Sequence, residues 1–142
     1  MVKEVRFYDE ADDGKLKFAV ILARSGGKWV FCRHRDRTTL VIPGGRREPG
    51  ERIEETASRE LREETGAAAF TIRPVCIYSV VRDDAEESFG ALYAAEITSF
   101  EKELHSEIEK IILLDNPPES NWTYPDIQPH LLKEAARRNI FE

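Results

Sequence analysis

The sequence has few cysteines, no long apolar run and no excess of positive charge. Its two cysteines, Cys32 and Cys76, are too few for a disulfide framework and lack the spacing of zinc ligands, which predicts reduced thiols in a cytoplasmic protein. The longest uninterrupted apolar run, from Phe18 to Ala23, is too short to cross a membrane, and no apolar segment follows Met1 as in a secretory signal. We therefore expect neither membrane insertion nor secretion.

The balance of charge excludes another class of protein. The 142 residues carry 21 Lys and Arg against 27 Asp and Glu, a net charge of −6, which argues against general nucleic-acid binding through a basic face. A polyanionic ligand would need a local attraction, and a divalent metal ion is the obvious candidate. The length fits one domain over residues 1–142, as a monomer or a homodimer, and the 41% of hydrophobic residues can fill one core.

Apolar, β-rich runs alternate with two helical segments along the chain. They predict an α/β (α+β) fold, an α/β/α sandwich around a mixed β-sheet. The predicted strands are 16–24, 28–33, 40–42, 70–81, 89–97 and 108–114, and the predicted helices are 52–65 and 126–138. The first two strands should pair antiparallel across a glycine turn, and Gly66 should end the first helix.

The first predicted helix carries glutamates on its apolar side. At about 100° per residue, Glu60 and Glu64 fall within the arc that contains Ile53 and Leu61, and Glu63 lies on the shoulder of that arc. A solvated, salt-bridged face would place them opposite. Like charges four residues apart cost a helix about 0.2–0.5 kcal/mol, and partial burial adds to this. This helical-wheel projection places no positively charged residue among the carboxylates. We therefore predict that they bind a divalent ion such as Mg²⁺, which takes oxygen ligands.

The segment from Gly45 to Ala67 resembles the Nudix box, Gly-x5-Glu-x7-Arg-Glu-U-x-Glu-Glu-x-Gly-U, in which U is a bulky aliphatic residue. The matching residues are Gly45, Glu51, Arg59, Glu60, Leu61, Glu63, Glu64 and Gly66. Ala67 departs from the pattern because it is small. The flanking strand order and the terminal helix are also similar to the Nudix fold. The resemblance implies hydrolysis of the phosphoanhydride in a nucleoside diphosphate linked to another group, with Mg²⁺ or Mn²⁺.

The resemblance also implies roles for individual residues. The residues that resemble metal ligands are Gly44, through its carbonyl, and Glu60, Glu63 and Glu64. The residues that resemble structural support of the box are Gly45, Glu51 and Arg59. A further carboxylate is expected from a later loop, at Glu107, with Glu86 and Glu87 as alternatives. The general base stays open between Glu63, Glu64 and Glu107.

An arginine-rich stretch leads into the box. Residues 33–47 carry five arginines and one aspartate, which favours attraction of phosphate. The candidate substrate-binding residues here are Arg35, Arg37, Arg46 and Arg47. Solubilising loop charge is the alternative. Near the last helix, Trp122 and Tyr124 could stack on a base, or could instead anchor that helix to the sheet.

The substrate is predicted by elimination. Signatures of ADP-ribose hydrolases and of dinucleoside polyphosphate hydrolases are not evident after the box. We therefore expect a (deoxy)nucleoside triphosphate, oxidised or not, to be cleaved to the monophosphate and pyrophosphate. Hydrolysis of ADP-ribose, a nucleotide sugar or a dinucleoside polyphosphate stays open, as does a non-catalytic nucleotide-binding regulator of the same fold.

Overall fold

The computed structural model describes residues 1–83, 85–101 and 108–141. The strands in this part of the chain are β1 (Val2–Tyr8), β2 (Leu16–Ser25), β3 (Lys28–His34), β4 (Gly44–Arg46), β5 (Ala67–Arg82), β6 (Ser88–Phe100) and β7 (Ile108–Leu114). The helices are α1 (Ile53–Thr65) and α2 (Gln128–Arg137), with a 3₁₀ turn at Asp13–Lys15 before β2. Of the helices in these residues, neither has the length and apolar character needed to cross a membrane.

The strands form one mixed sheet. Its order is β1-β5-β6-β2-β3-β7, and β4 pairs with β2 off this path. The pair β2–β6 is parallel, with Ala19 opposite Ala91, whereas β2 pairs antiparallel with both β3 and β4. Strand β2 therefore lies inside the sheet and carries the glycine strand β4 beside it.

The two helices cover opposite faces of the sheet. Successive side chains of a strand point to opposite faces, and β2 is buried on both. Its Ile21 belongs to the apolar cluster that includes Leu61 of α1, whereas its Leu22 belongs to the cluster that includes Leu131 of α2. The predicted α/β/α sandwich with a mixed sheet is confirmed.

Helix α1 and the first strand pair were predicted nearly to the residue. Gly66 ends α1 in the left-handed conformation, with φ of 75°, and its N–H donates to the carbonyl of Arg62. Ala23 of β2 pairs with Val30 of β3, as the glycine turn between them indicated. Strand β1, which forms an outer edge of the sheet, was not predicted at all.

One strand prediction was wrong in its position. Leu40 forms a single bridge with Trp122 and Val41 forms one with Cys32. The regular strand is instead Gly44–Arg46, because the glycines let that backbone approach β2. The predicted strand 70–81 belongs to a continuous β5, with a register shift between Pro74 and Cys76. Proline lacks an N–H group and is tolerated in sheets at such irregularities.

Candidate active site

Helix α1 presents its three candidate ligands at different depths. The Glu60 and Glu64 side chains are 12% and 13% exposed, whereas the Glu63 side chain is 50% exposed. This is the pattern of the helical wheel, because Glu60 and Glu64 share the inner side with Leu61. Their roles as metal ligands remain a prediction, but the burial of two carboxylates on one helix face is a structural fact.

Glu64 joins α1 to the start of β4 and to β3. Its Oε1 accepts a hydrogen bond of 2.8 Å from the Gly44 N–H, and its Oε2 lies 3.7 Å from Nε2 of His34. Its main-chain carbonyl accepts a hydrogen bond from the buried thiol of Cys32 at 3.2 Å. These contacts fix the carboxylate beside the glycine strand. Nothing in the sequence analysis had pointed to His34.

Glu60 lies directly over Gly45. A Cβ at Gly45 would overlap the Glu60 carboxylate, so the absence of a side chain there makes room for that group. Burial raises the pKa of Glu60, and a hydrogen bond of 2.7 Å from the Arg59 guanidinium opposes this shift. Glycine is thus required at this point by close approach rather than by an unusual backbone conformation.

Arg59 is the hub of the carboxylate cluster. Its guanidinium donates to Glu51 at 2.7 Å and 3.1 Å, and to the main-chain carbonyl of Arg46 at 3.0 Å. The same group lies 3.3 Å from Glu63. Arg59 and a hydrogen bond from Thr56 lower the pKa of Glu51 to about 2. The expected contact between Arg59 and Glu51 is present and ties the loop before α1 to the helix.

The premise that the glutamates lack a cation was wrong. The Arg59 backbone lies outside the apolar arc, but its long side chain bends back and reaches Glu60. A helical wheel records where a residue starts and not how far its side chain reaches. The case for a metal therefore depends on Glu64 together with Glu60, and not on unbalanced charge alone.

The donor set still fits a hard divalent cation. No group of three or more His, Cys, Asp or Glu side chains within the described residues is arranged to hold a metal ion. However, Mg²⁺ is commonly held by one or two carboxylates together with water and substrate phosphates. Glu60 and Glu64 provide two such carboxylates, placed at the adjacent glycines Gly45 and Gly44 of β4.

The expected extra carboxylate is not found among the described residues of this site. Glu107 lies outside those residues. The alternative Glu87 accepts hydrogen bonds from Tyr8, at 2.6 Å, and from Ser79, so it ties β1 to β5. Neither Glu86 nor Glu87 lines the cavity described next.

A cavity of about 830 Å³ extends from Glu64 between the sheet and α2. Its basic rim consists of His34, Arg35, Arg37, Arg46 and Arg82. Three of the four predicted arginines are therefore brought together, and Tyr124 lines the same cavity. Sequence reasoning missed Arg82, although a charged residue at the end of a long apolar strand could have indicated an exposed strand end.

Arg47 and Trp122, the two remaining candidate substrate-binding residues, do not line the cavity. The Arg47 guanidinium contacts the side chain and carbonyl of Asp13 at 2.9 Å and 2.8 Å and the carbonyl of Glu51 at 2.8 Å, so it clamps the 3₁₀ turn to the loop before α1. Trp122 is 8% exposed and packs edge-to-face on Phe31. The prediction that these two residues bind substrate finds no support, and the anchoring alternative describes Trp122.

Two further cavity residues, Tyr78 and Gln128, were not identified from the sequence. Tyr78 shares a sheet face with Cys76 and Val80, and this alternation was the available signal. Gln128 begins α2 on the buried side of that helix. Both are buried polar side chains, the kind of residue that needs a hydrogen-bond partner.

Three comparisons with known proteins agree on one protein family. The family model of the NUDIX domain matches residues 14–140. A Bacillus subtilis (strain 168) protein, provisionally named 8-oxo-dGTP diphosphatase YtkD, is 32% identical over 118 residues, 82% of this chain and 73% of that protein. The ADP-ribose pyrophosphatase of that strain is 30% identical over 98 residues, 66% of this chain and 53% of that protein. A mutant of the Bacillus subtilis pyrophosphohydrolase BsRppH, a crystal structure, has a TM-score of 0.80 and 27% identity, covering 97% of this chain and 93% of that one.

Proposed function

The chain belongs to the NUDIX domain family and is a hydrolase of nucleotide-linked phosphoanhydrides, and we propose that it cleaves a nucleoside triphosphate to the monophosphate and pyrophosphate with Mg²⁺ or Mn²⁺. The observation that carries the proposal is the position of Glu64. Its carboxylate stands at the glycine strand β4, beside Glu60, and at one end of a large cavity with an arginine rim.

The metal ion would be held mainly by two carboxylates. Glu60 and Glu64 are the ligands we propose, with the Gly44 carbonyl and the more exposed Glu63 as further candidates. When bound, the ion supplies neutralisation of the charge on the phosphate oxygens during attack by water. The general base stays a choice between Glu63, Glu64 and Glu107.

The protein's own side chains supply binding and orientation. The rim arginines Arg35, Arg37 and Arg46 offer planar donors that match phosphate oxygens, and Arg82 extends the rim on β5. Arg59 donates hydrogen bonds to Glu51 and to the main-chain carbonyl of Arg46, so it orients the loop between β4 and α1. Arg59 itself does not line the cavity. In this arrangement the phosphates lie at the rim and the nucleoside lies deeper.

The triphosphate substrate is supported by the named relatives. The 32% identical relative that aligns over most of this chain is named as an 8-oxo-dGTP diphosphatase. A second protein with that name is 32% identical over 75 residues. ADP-ribose is the second candidate, because the relative named ADP-ribose pyrophosphatase is 30% identical. We also propose a cytoplasmic location, since Cys32 and Cys76 are buried free thiols. The oligomeric state, monomer or homodimer, stays a prediction.

A substrate panel tests the proposal. Nucleoside triphosphates, 8-oxo-dGTP, ADP-ribose, a nucleotide sugar and a dinucleoside polyphosphate would each be incubated with the protein and Mg²⁺ or Mn²⁺. Pyrophosphate and nucleoside monophosphate should appear together, and fastest, from a triphosphate. Tyr93→Phe is a suitable control variant, because Tyr93 lies on the α1 side of the sheet, away from the cavity. A protein that releases inorganic phosphate from triphosphates, or that cleaves ADP-ribose faster, would contradict the proposal.

A further inference from the structure

The inner part of the cavity contains two buried polar side chains on facing walls. Tyr78 projects from β5 in the sheet and Gln128 from the first turn of α2, and each residue is only 6% exposed. Both line the same cavity as the rim arginines and Glu64. Neither has a part in the proposed hydrolysis. Buried polar side chains need hydrogen-bond partners, so the presence of these two in the cavity wall needs an explanation.

The Tyr78 side chain is buried, and its hydroxyl has no hydrogen-bond partner among the described residues. The ring lies over Gly90, where a Cβ would come within 2.6 Å of the hydroxyl oxygen. Because Gly90 pairs with Phe18 of β2, the hydroxyl reaches from β5 across β6 towards the β2 side of the cavity. It forms no hydrogen bond with another described residue, and burial alone raises the pKa of this phenol. A phenylalanine would fill the space without the desolvation cost of about 1–3 kcal/mol.

The Gln128 side chain has a fixed orientation. Its Oε1 accepts a hydrogen bond of 2.8 Å from the main-chain N–H of Ile42. Since that N–H can only donate, the carbonyl end must face Ile42, and the amide –NH₂ must point the other way. Within the described residues, this –NH₂ has no hydrogen-bond partner. Gln128 therefore offers donors to whatever occupies the cavity.

The walls between these two groups are apolar. Val20, Ile42, Val80 and Leu131 line this part of the cavity, while the arginines stand at its rim. A slot with apolar walls, a few fixed polar groups and phosphate-binding cations at one end is suited to a flat heteroaromatic ring joined to a phosphate chain. Hydrogen bonds in such a site are strongly selective, because a ligand that lacks the matching group leaves the site's buried polar atoms unpaired.

We propose that Tyr78 and Gln128 bind the hydrogen-bonding edge of the substrate's base, and that Gln128 selects a base with a carbonyl oxygen rather than an amino group at that edge. A carbonyl can accept from the Gln128 –NH₂, whereas an amino group would face it donor to donor. The Tyr78 hydroxyl can donate or accept, so it strengthens binding of either kind of base without choosing between them. This inference rests on the proposed function, since it deepens the substrate class of the same site.

Binding of nucleoside monophosphates tests the inference without any bond being cleaved. Inosine and adenosine monophosphates differ around position 6, where one has a carbonyl and the other an amino group, and ribose 5-phosphate has no base. Dissociation constants would be measured by calorimetry, with Mg²⁺ present, for the parent protein, Tyr78→Phe and Gln128→Glu. Tyr93→Phe is the matched control, because that residue is 7% exposed and lies on the opposite face of the sheet.

The two variants should act differently. The parent should bind inosine monophosphate about tenfold more tightly than adenosine monophosphate. Tyr78→Phe should weaken both by a similar factor, again about tenfold, and leave ribose 5-phosphate unchanged. Gln128→Glu keeps an acceptor for Ile42 but removes the donors, so it should reverse the preference towards adenosine monophosphate. Tyr93→Phe should change none of these values.

Contrary results separate this inference from the proposed function. If nucleoside triphosphates are hydrolysed but the parent does not prefer inosine monophosphate, the inference is overturned and the proposed function stands. An unchanged preference in Gln128→Glu, or an unchanged affinity in Tyr78→Phe, overturns it equally. If no nucleotide is bound or hydrolysed, both fail together.

Discussion

Gly45 and Gly44 are adjacent glycines that the structure uses for different purposes, and replacing each by alanine should separate activity from stability. A Cβ at Gly45 would overlap the Glu60 carboxylate, which is the far end of a flexible side chain. A Cβ at Gly44 would lie 2.5 Å from the carbonyl oxygen of Ala19 and 3.0 Å from Cα of Val20, which are backbone atoms of β2. Glu60 can move aside, but β2 can yield only by disturbing its pairing with β4.

The stability cost of Gly45→Ala should be small. Displacing Glu60 breaks its hydrogen bond with Arg59, a loss of about 1–2 kcal/mol for a partly exposed charged pair. Gly45 has no positive φ, so alanine recovers about 0.4–1 kcal/mol by restricting the unfolded chain. The net loss of about 0–1.5 kcal/mol corresponds to a fall in Tm of at most about 5 °C for a domain of this size. Overpacking at Gly44 should cost about 1–3 kcal/mol and lower Tm further.

The effect of Gly45→Ala on activity should be much larger than its effect on Tm. A shift of about 1 Å in a positioned group can cost about 10²-fold in rate, and Glu60 must move by at least that much. The assay is pyrophosphate release from the best substrate of the panel at saturating Mg²⁺, with Tm measured on the same samples. Full activity in Gly45→Ala would refute the assignment of Glu60 to the site. A larger fall in Tm for Gly45→Ala than for Gly44→Ala would refute the packing argument.

Other predictions concern charge. Glu64→Gln should lower turnover by at least about 10³-fold. The same change should raise the Tm of the metal-free protein by about 2–6 °C, because it removes one of two half-buried like charges. Glu60→Gln should instead lower that Tm, because it weakens the contact with Arg59. Melting curves in EDTA check both, and a lower Tm for Glu64→Gln would contradict its role as a ligand. Arg37→Ala should raise KM and weaken its salt dependence, whereas Arg47→Ala should lower Tm and leave KM unchanged, which kinetics at two salt concentrations can decide. The pKa of Glu51 is lowered from 4.5 to about 2 in the folded protein, so Glu51 should contribute stability above pH 4.5 that is lost as the pH falls towards 2. Glu51→Gln should reduce this loss of unfolding free energy at acid pH, as measured by unfolding titrations. An unchanged pH dependence would contradict the prediction.

The parts of the fold that are set by local pattern were predictable from the sequence. Helix α1 has an uninterrupted run of helix-forming residues and a glycine that adopts the left-handed conformation at its end. The burial of Glu60 and Glu64 also followed from local periodicity, because the 3.6-residue repeat places them beside Leu61. A pattern confined to one element therefore gave both the helix and the orientation of its carboxylates.

The parts that depend on contacts distant in sequence were not predictable. Strand β1 pairs with β5 about seventy residues later, with Phe7 opposite Tyr78, and no local signal indicates such a partner. The Arg47 guanidinium is directed to Asp13, so its charge belongs to a fold contact although its sequence neighbours line the cavity. The contact of Arg59 with Glu60 depends on the length of the arginine side chain, which the periodicity of the helix does not show.

The dependence of pyrophosphate release on metal concentration tests the central claim most directly. Turnover of the preferred nucleoside triphosphate would be followed while Mg²⁺ is titrated into EDTA-treated parent protein and into Glu64→Gln. We predict no turnover by the parent in EDTA, saturable recovery with Mg²⁺, and little recovery in Glu64→Gln at any concentration. Turnover that is undiminished in excess EDTA, or equal recovery in both proteins, would contradict a metal site at Glu60 and Glu64.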